Sequence, residues 1–489
     1  MSQKGAGTAF RTSKKEPERR SGAFRLHSSP GRVPDKLKLA KVVPVFKKGS
    51  EYLVHNYRPI SLLSLFHKVL EKLMAKRVLN FITNTSILYD YQFGFRQNYS
   101  TVLALIDVMD NIYECLDTKE YVLGIFLDLQ KAFDTVDHSI LLWKLYNYGI
   151  RGVVHKWFCS YLCNRQQFTF VNNMKSDNLP VTCGIPQGSV LGPILFLLYI
   201  NDISYAVPDG KVKLFADDTN LFVSAKNIQD LENKANIQIT SIYEWLKANK
   251  LHLNKDKTCY AVFSPTQFRA PDLNIKVNNV RLQRVKSCKY LGVIIDEELK
   301  WTSHIEAVLS KLKQLVGICY KIRYKLPDWC LRNIYFAYVH SRVLYGIEVY
   351  GNTFASYLDK LTKLNNTLLR ILQKKGRCCT NCLYFQYNTV PPTQLFNYQI
   401  LNLVHKSVIS PELLPPIFEN YFVLNKTVHD YNTRYNKLHL SQTHSRFGNR
   451  SLKFKGSQLW NRLPIDLIDT TDTNNFKSAL KIFLNCEPM

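Results

Sequence analysis

Val212-Lys213-Leu214-Phe215-Ala216-Asp217-Asp218-Thr219-Asn220-Leu221-Phe222-Val223 is the stretch that decides the fold. Two short apolar runs, Val212 to Leu214 and Leu221 to Val223, flank Phe215-Ala216-Asp217-Asp218. That pattern predicts a tight hairpin with two carboxylates at its tip. Adjacent carboxylates on a turn repel each other, and the usual reason to keep them is a hard divalent cation such as Mg²⁺, which takes oxygen ligands and substrate phosphates. Standing alone, the pair reads more readily as a solvated turn.

A third carboxylate lies upstream. Tyr121 to Leu127 is nearly continuous and apolar, long enough for a buried strand and short for a helix. Asp128 closes it, and a core strand has no packing use for a charge. If this strand lies beside the hairpin, Asp128, Asp217 and Asp218 converge. Three carboxylates can hold two metal ions about 3.5–4 Å apart, the arrangement that serves phosphoryl transfer. The competing reading of Asp128 is a helix N-cap after the strand. Asp134 and Asp137 read as caps or surface acids.

Charge narrows the function class. The chain has 489 residues, with 65 Lys and Arg against 38 Asp and Glu, a formal net charge of +27. A globular enzyme for small molecules seldom needs that excess. It implies a polyanionic partner, most simply nucleic acid, with an anionic membrane surface as the alternative. The first 25 residues are basic and polar, without the apolar core of a secretory signal. The longest apolar stretch, Val190 to Ile200, is too short to span a bilayer and is broken by Pro193. The 12 cysteines lack framework spacing and read as reduced thiols. Cys379 and Cys382 form a CxxC half-site, for which zinc would need two further ligands; the nearest candidate, His405, is not at a standard spacing.

Residues 1–36 read as a disordered basic tail, with order beginning near Leu37. Val42 to Phe46 predicts a strand. Apolar residues recur at helical spacing from Ser61 to Leu79 (Leu62, Leu65, Phe66, Val69, Leu70, Leu73, Val78), and this stripe is expected to be core. Asn227 caps a second such helix reaching Leu246. Strands interleaved with helices through Pro265 predict an α/β or α+β body. Tyr290 to Ile295 predicts one further strand. Ser303-His304-Ile305-Glu306 is a capping box that opens a helix with Lys311, Lys313, Lys321, Arg323 and Lys325 on its surface. A second helix is expected from Pro327-Asp328 to about Tyr350, and a third from Tyr357 to Lys375, stopped by Gly376. Together they predict a separate three-helix unit with a basic face. In the last ~110 residues, aromatics such as Tyr421, Phe422, Phe447 and Trp460 alternate with basic residues. That suits single-stranded nucleic acid or, equally, a core with snorkelling cations.

The ordered set now resembles one family. It comprises Asn56-Tyr57-Arg58-Pro59-Ile60-Ser61-Leu62-Leu63, Gln92-Phe93-Gly94-Phe95-Arg96, Asp128 to Asp134, Gly184-Ile185-Pro186-Gln187-Gly188-Ser189-Val190-Leu191-Gly192-Pro193, Phe215-Ala216-Asp217-Asp218 and Asn254-Lys255-Asp256-Lys257-Thr258. The order resembles reverse transcriptases of non-long-terminal-repeat retrotransposons, of the jockey-like kind, most strongly over residues 37–300. The resemblance implies an α+β right-hand polymerase. Fingers and palm, with an antiparallel sheet, would span 37–300, a helical thumb 301–376 and a C-terminal basic and aromatic domain 377–489.

It also implies roles. Asp128, Asp217 and Asp218 match the catalytic, metal-binding carboxylates, which would hold two Mg²⁺ ions, with Mn²⁺ as an alternative. Ala132 and Phe133 match the substrate-binding position whose bulky ring blocks a ribose 2′-hydroxyl. Gln187 matches a contact to the incoming nucleotide and template, with Gly184 and Gly188 letting backbone approach the substrate. Arg96 resembles the fingers cation for the triphosphate. Lys257 resembles the lysine proposed to protonate pyrophosphate, and the strand around Leu291-Gly292 a primer grip. The implied function is RNA-directed DNA synthesis, with an RNA template, a DNA primer or target, dNTPs and an element-RNA ribonucleoprotein as partners, in the nucleus or a cytoplasmic particle. Full-length members usually carry an endonuclease upstream, so a truncated copy is expected. The alternatives are a catalytically silent nucleic-acid-binding relic and a group II intron-type maturase.

Overall fold

The computed structural model describes residues 31–266, 270–376, 379–428 and 437–486. The expected tail lies almost wholly outside them. Elements run in chain order from β1 (Leu39–Phe46) and β2 (Tyr57–Leu62) to α1 (Leu65–Asn84), α2 (Thr101–Asp117), β3 (Tyr121–Leu127), α3 (His138–Asn147) and α4 (Gly152–Leu162). Next come β4 (Arg165–Val171), β5 (Met174–Lys175), β6 (Leu179–Val181), α5 (Gly192–Ile200), β7 (Lys211–Phe215), β8 (Asp218–Ala225), α6 (Ile228–Ala248) and β9 (Cys259–Phe263). The short strands β10 (Lys276–Val277), β11 (Val280–Arg281) and β12 (Gln283–Arg284) lead to the hairpin β13 (Ser287–Tyr290) and β14 (Val293–Asp296).

The palm is a sheet of order β12-β9-β3-β8-β7, with β3 antiparallel to both β8 and β9. The β3 sequence explains its central place. Leu123, Ile125 and Leu127 enter one core, with α3, α5 and α6. Val122 enters a second, with α2. Only a strand covered on both faces can be so uniformly apolar. A second sheet, β2-β1-β4-β5 with β6 on β4, builds the fingers; there β1 runs parallel to β4.

The remaining helices are α7 (Thr302–Ile322), α8 (Asp328–Ile334), α9 (Ser341–Leu344), α10 (Ile347–Tyr350), α11 (Ala355–Leu372), α12 (Thr380–Tyr387), α13 (Pro392–Ile409), α14 (Asn425–Val428), α15 (Leu452–Trp460), α16 (Ile465–Ile468) and α17 (Thr473–Cys486). The body is α+β, as expected.

Five expectations are corrected. The α1 stripe is turned outward: Leu65, Phe66, Val69 and Leu73 are exposed, whereas His67, Glu71, Ala75, Val78 and Ile82 are buried. A buried Glu and His take the inner face because they satisfy each other there. The expected strand Tyr290 to Ile295 is a hairpin, because Leu291 (φ 43°) and Gly292 (φ 84°) turn the chain. The capping box does not form. The helix starts at Thr302 after Trp301 in the left-handed region (φ 64°), and Asp296 accepts from the N–H groups of Lys300 and Trp301. The expected helix to Tyr350 is interrupted by a π-helical stretch, Tyr335–His340, and by Gly346 (φ 73°). Nor is the three-helix unit separate. One continuous core joins α2, α7, α11, α13 and α17. Phe422, Phe447 and Trp460 belong to it, which favours packing over base stacking for those rings. Among the described residues no helix is long and apolar enough to cross a membrane.

Candidate active site

The hairpin β7–β8 pairs Phe215 with Asp218, leaving Ala216 and Asp217 as its turn. Ala216 sits at φ 55°, a conformation that costs an L-residue energy and needs outside support. Gln92 supplies it. This side chain is 1 % exposed, and its Oε1 accepts the N–H groups of Gly94 and Ala216, each at 2.9 Å. A Cβ on Gly94 would lie 2.5 Å from the Ala216 nitrogen, so only glycine lets the two backbones meet. The Gln92-Phe93-Gly94 segment therefore clamps the acidic turn. Its glutamine was quoted in the sequence as a motif residue without a role.

Strand register brings in the third acid. Leu127 pairs with Thr219, so one further step sets Asp128 opposite Asp218. Alternation puts both on the face that carries Phe126, whose ring meets Tyr290 at 6.3 Å. The hairpin with Leu291-Gly292 at its tip thus lies over the carboxylate face. The electrostatics agree with close approach. Burial, then Asp217 and Asp128, pushes the Asp218 carboxyl up to about 6. Burial raises Asp217 as well; Asp128 adds to the rise, and Arg58 and Lys47 oppose it.

Asp128 is held by the Asn254 to Thr258 segment. Asn254 donates its N–H to the Asp128 carbonyl at 2.8 Å and its Nδ2 to Oδ2 at 3.0 Å. The Thr258 hydroxyl accepts the Asp128 N–H at 3.3 Å. Lys257 Nζ stands 3.5 Å from Oδ2. The carboxylate is turned toward these groups, and among the described residues no group of three or more His, Cys, Asp or Glu side chains is arranged to hold a metal ion. The donor set still suits a hard cation in kind. It is all oxygen, and like-charge crowding already raises Asp218.

Gln187 donates its Nε2 to Asp134 Oδ1 at 2.8 Å, so Asp134 aims the amide. Burial raises the Asp134 carboxyl, and the Gln187 bond opposes that. The loop glycines approach protein rather than an open substrate face: a Cβ on Gly184 would lie 2.6 Å from the Asp134 carbonyl oxygen, and one on Gly188 2.8 Å from that of Ser61. Phe133 is half-buried and stacks on Phe196 at 4.4 Å. Ala132 is buried in the core, 4 % exposed, and offers no side chain to a ligand.

Arg96 is committed elsewhere. Its Nη1 donates to the Tyr89 and Gln92 carbonyls, its guanidinium lies 4.0 Å from the Tyr99 ring, and burial pulls its pKa down. The cations whose charge lowers Asp217 are the exposed Lys47, directly after β1, and Arg58, on β2. Arg58 lies within the Asn56 to Leu63 motif. Cys379 and Cys382 are exposed at the start of α12. His405 is buried, stacked on Phe476 and bonded to the Thr470 carbonyl, away from any zinc role.

Residues 45–295 match the family described as reverse transcriptase (RNA-dependent DNA polymerase). The chain belongs to the reverse transcriptase family. It is 31% identical over 373 residues to a probable RNA-directed DNA polymerase from transposon BS of Drosophila melanogaster, covering 73% of this chain and 40% of that protein. It is 30% identical over 355 residues to the RNA-directed DNA polymerase from mobile element jockey of the same species, covering 70% and 38%. A probable RNA-directed DNA polymerase from its transposon X-element is 29% identical over 366 residues, covering 73% and 39%. The reverse transcriptase chain thus spans about two fifths of the length of these relatives.

Proposed function

We propose that this chain is an RNA-directed DNA polymerase that extends a DNA primer on an RNA template with dNTPs. The observation that carries the reading is the register that sets Asp128 opposite Asp218, beside the turn residue Asp217. Asp128, Asp217 and Asp218 would hold the divalent cations. Two Mg²⁺ ions bound there would lower the pKa of the primer 3′-hydroxyl and neutralise charge on the triphosphate.

The chain's own groups do the positioning. Lys47 and Arg58, across from Asp217, suit the triphosphate as fixed counter-charges. Gln187, aimed by Asp134, borders the nucleotide. Phe133, braced on Phe196, would crowd a 2′-hydroxyl. Lys257 stands close enough to Asp128 to give a proton to departing pyrophosphate. No side chain need act as a covalent nucleophile, so positioning and electrostatics carry the rate. On the thumb, Lys311, Lys313, Lys321 and Lys325 are exposed beside Tyr320 and Tyr324, a surface suited to phosphates and bases.

Primer extension on an RNA template with Mg²⁺ tests this. The parent is expected to incorporate dNTPs and Asp217→Asn to lose incorporation. Nucleic-acid binding without extension by the parent would favour the silent relic. In the same assay Phe133→Val is expected to raise ribonucleotide use; an unchanged preference removes its gating role.

A further inference from the structure

Glu71 is the most deeply buried acid near the Gly184 to Pro193 loop, with 0 % of its surface exposed. A carboxylate in that setting is costly unless its lone pairs are filled. Three donors fill them. Oε1 accepts from the Tyr161 hydroxyl at 2.6 Å and from His67 Nε2 at 3.1 Å. Oε2 accepts the backbone N–H of Val190 at 2.7 Å. Burial alone would push this carboxyl up; the bonds from His67, Tyr161 and Val190 outweigh it and hold the group below its ordinary range. No Lys or Arg is paired with it among the described ion pairs.

The three donors come from three places: α1 itself, α4 and the loop. Only an acceptor-only group can satisfy all of them at once. The loop needs such a tie because it is irregular from Gly184 to Leu191. The start of the loop is tied separately, by the Gly184 N–H to the Val136 carbonyl at 2.8 Å, the Ile185 N–H to the Phe133 carbonyl at 2.9 Å and His138 Nε2 to the Gly184 carbonyl at 2.8 Å; around Gln187 the ties are the Ser61 N–H to the Gln187 carbonyl at 2.7 Å and the Gln187 side chain to Asp134. The pin at Ser61 acts on Gln187 itself, and the pin at Glu71 acts three residues on. Between them they fix the peptide that carries the Gln187 amide.

We propose that Glu71 is a positioning residue for nucleotide binding, acting through Val190 to hold Gln187 in place. This rests on the polymerase reading. The expected result is a split between KM and kcat. Glu71→Ala should raise the KM for dNTP about tenfold on a primed RNA template, while kcat changes less than about threefold, since a lost buried partner is felt where the substrate is held. Glu71→Gln keeps one acceptor for Val190 and should restore KM to within about threefold of the parent. Hydrogen exchange without substrate should show the Val190 amide opening faster in Glu71→Ala. A merely structural role would lower the melting temperature without the KM split or the Gln rescue.

If Glu71→Ala folds and both its KM and its Val190 exchange match the parent, the inference is wrong and the polymerase reading stands. If Glu71→Ala does not fold, Tyr161→Phe removes one donor without opening a cavity. It should then raise KM about threefold, and an unchanged KM overturns the inference. A parent that incorporates no dNTP takes down the polymerase reading and this inference with it.

Discussion

Lys47 and Arg58 approach the acidic turn from the fingers, whereas Arg96 is spent on the Tyr89 and Gln92 carbonyls. The two kinds of arginine should fail differently. Arg58→Ala is expected to raise the KM for dNTP about tenfold with little change in melting temperature, as for loss of an exposed counter-charge to phosphate. Arg96→Ala should lower the melting temperature, because it leaves the Gln92 carbonyl without a donor, takes one of two donors from the Tyr89 carbonyl and bares the Tyr99 ring. Steady-state kinetics and thermal melts on both variants check this, and the reverse pattern would return Arg96 to the substrate. A second residue-scale prediction follows from Asp218. Burial, then Asp217 and Asp128, raises its carboxyl to about 6 from an ordinary 3.8. The fold therefore favours the protonated form. That stabilisation is full below about 3.8 and is lost as pH rises through about 6. Without divalent metal, Asp218→Asn should melt about 2 °C above the parent at pH 8 and level with it at pH 4, the figure being reduced for solvent screening. No difference at pH 8 would mean that the three acids do not crowd one another. The acids themselves could be read from the sequence, because a charge ending an apolar strand has few uses. Gln92 and Glu71 could not, since a buried polar side chain looks like a surface one until its tertiary partners are known.

At the scale of elements, β3 and the β7–β8 hairpin were readable because period and punctuation agree there. The hairpin β13–β14 was not. Its turn begins with Leu291 at φ 43°, and a branched apolar residue carries no turn signal. Tertiary contact holds it: the Tyr345 hydroxyl donates to the Leu291 carbonyl at 2.5 Å, and the same ring lies 3.1 Å from where a Gly292 Cβ would be. The π-helical stretch and the break at Gly346, just beyond this tyrosine, were invisible for the same reason. They serve a distant partner rather than local preference. Tyr290 of this hairpin packs on Phe126, which shares a sheet face with Asp128, so Tyr345 joins the helical region to a hairpin seated on that face. Tyr345→Phe removes that bond and nothing else. It should weaken binding of a primed template about threefold, the worth of one ordinary hydrogen bond, with faster amide exchange at the turn. An unchanged dissociation constant would show that Tyr345 has no part in holding the primer.

At the scale of the whole molecule, the question is whether residues beyond the palm form units of their own. Length and composition suggested a basic three-helix thumb and a small C-terminal domain. The α2 sequence carried the contrary sign in two acids seven residues apart, Asp110 and Asp117, which share a helix face. Asp110 accepts the N–H groups of Leu452 and Lys453 at the start of α15, and also the Tyr421 hydroxyl. Asp117 accepts the His444 N–H through both oxygens. A Cβ on Gly448 would strike the Asp117 carboxylate at 2.5 Å, so the last segment lies directly on α2. Apolar contacts extend the joint, since one core runs from Leu105 through Tyr350 and Leu401 to Leu480. Burial pushes Asp110 up to about 8, against the pull of its backbone donors. Removing this side chain leaves two helix-start N–H groups and a tyrosine hydroxyl buried without an acceptor. Asp110→Ala should therefore destabilise the chain by about 3 kcal/mol. The form of the loss decides the architecture. If α2 and the C-terminal segment fold together, denaturant unfolding followed by far-ultraviolet dichroism and by tryptophan fluorescence will shift to a lower midpoint as one transition. If the last segment is an independent domain, the two probes will separate and an early step will appear, with proteolysis confined to residues after about 410. A single displaced transition is expected, because α2 is shared by both parts: its Asp107 pairs with Lys213 of the palm sheet, while its Asp110 and Asp117 hold the last segment.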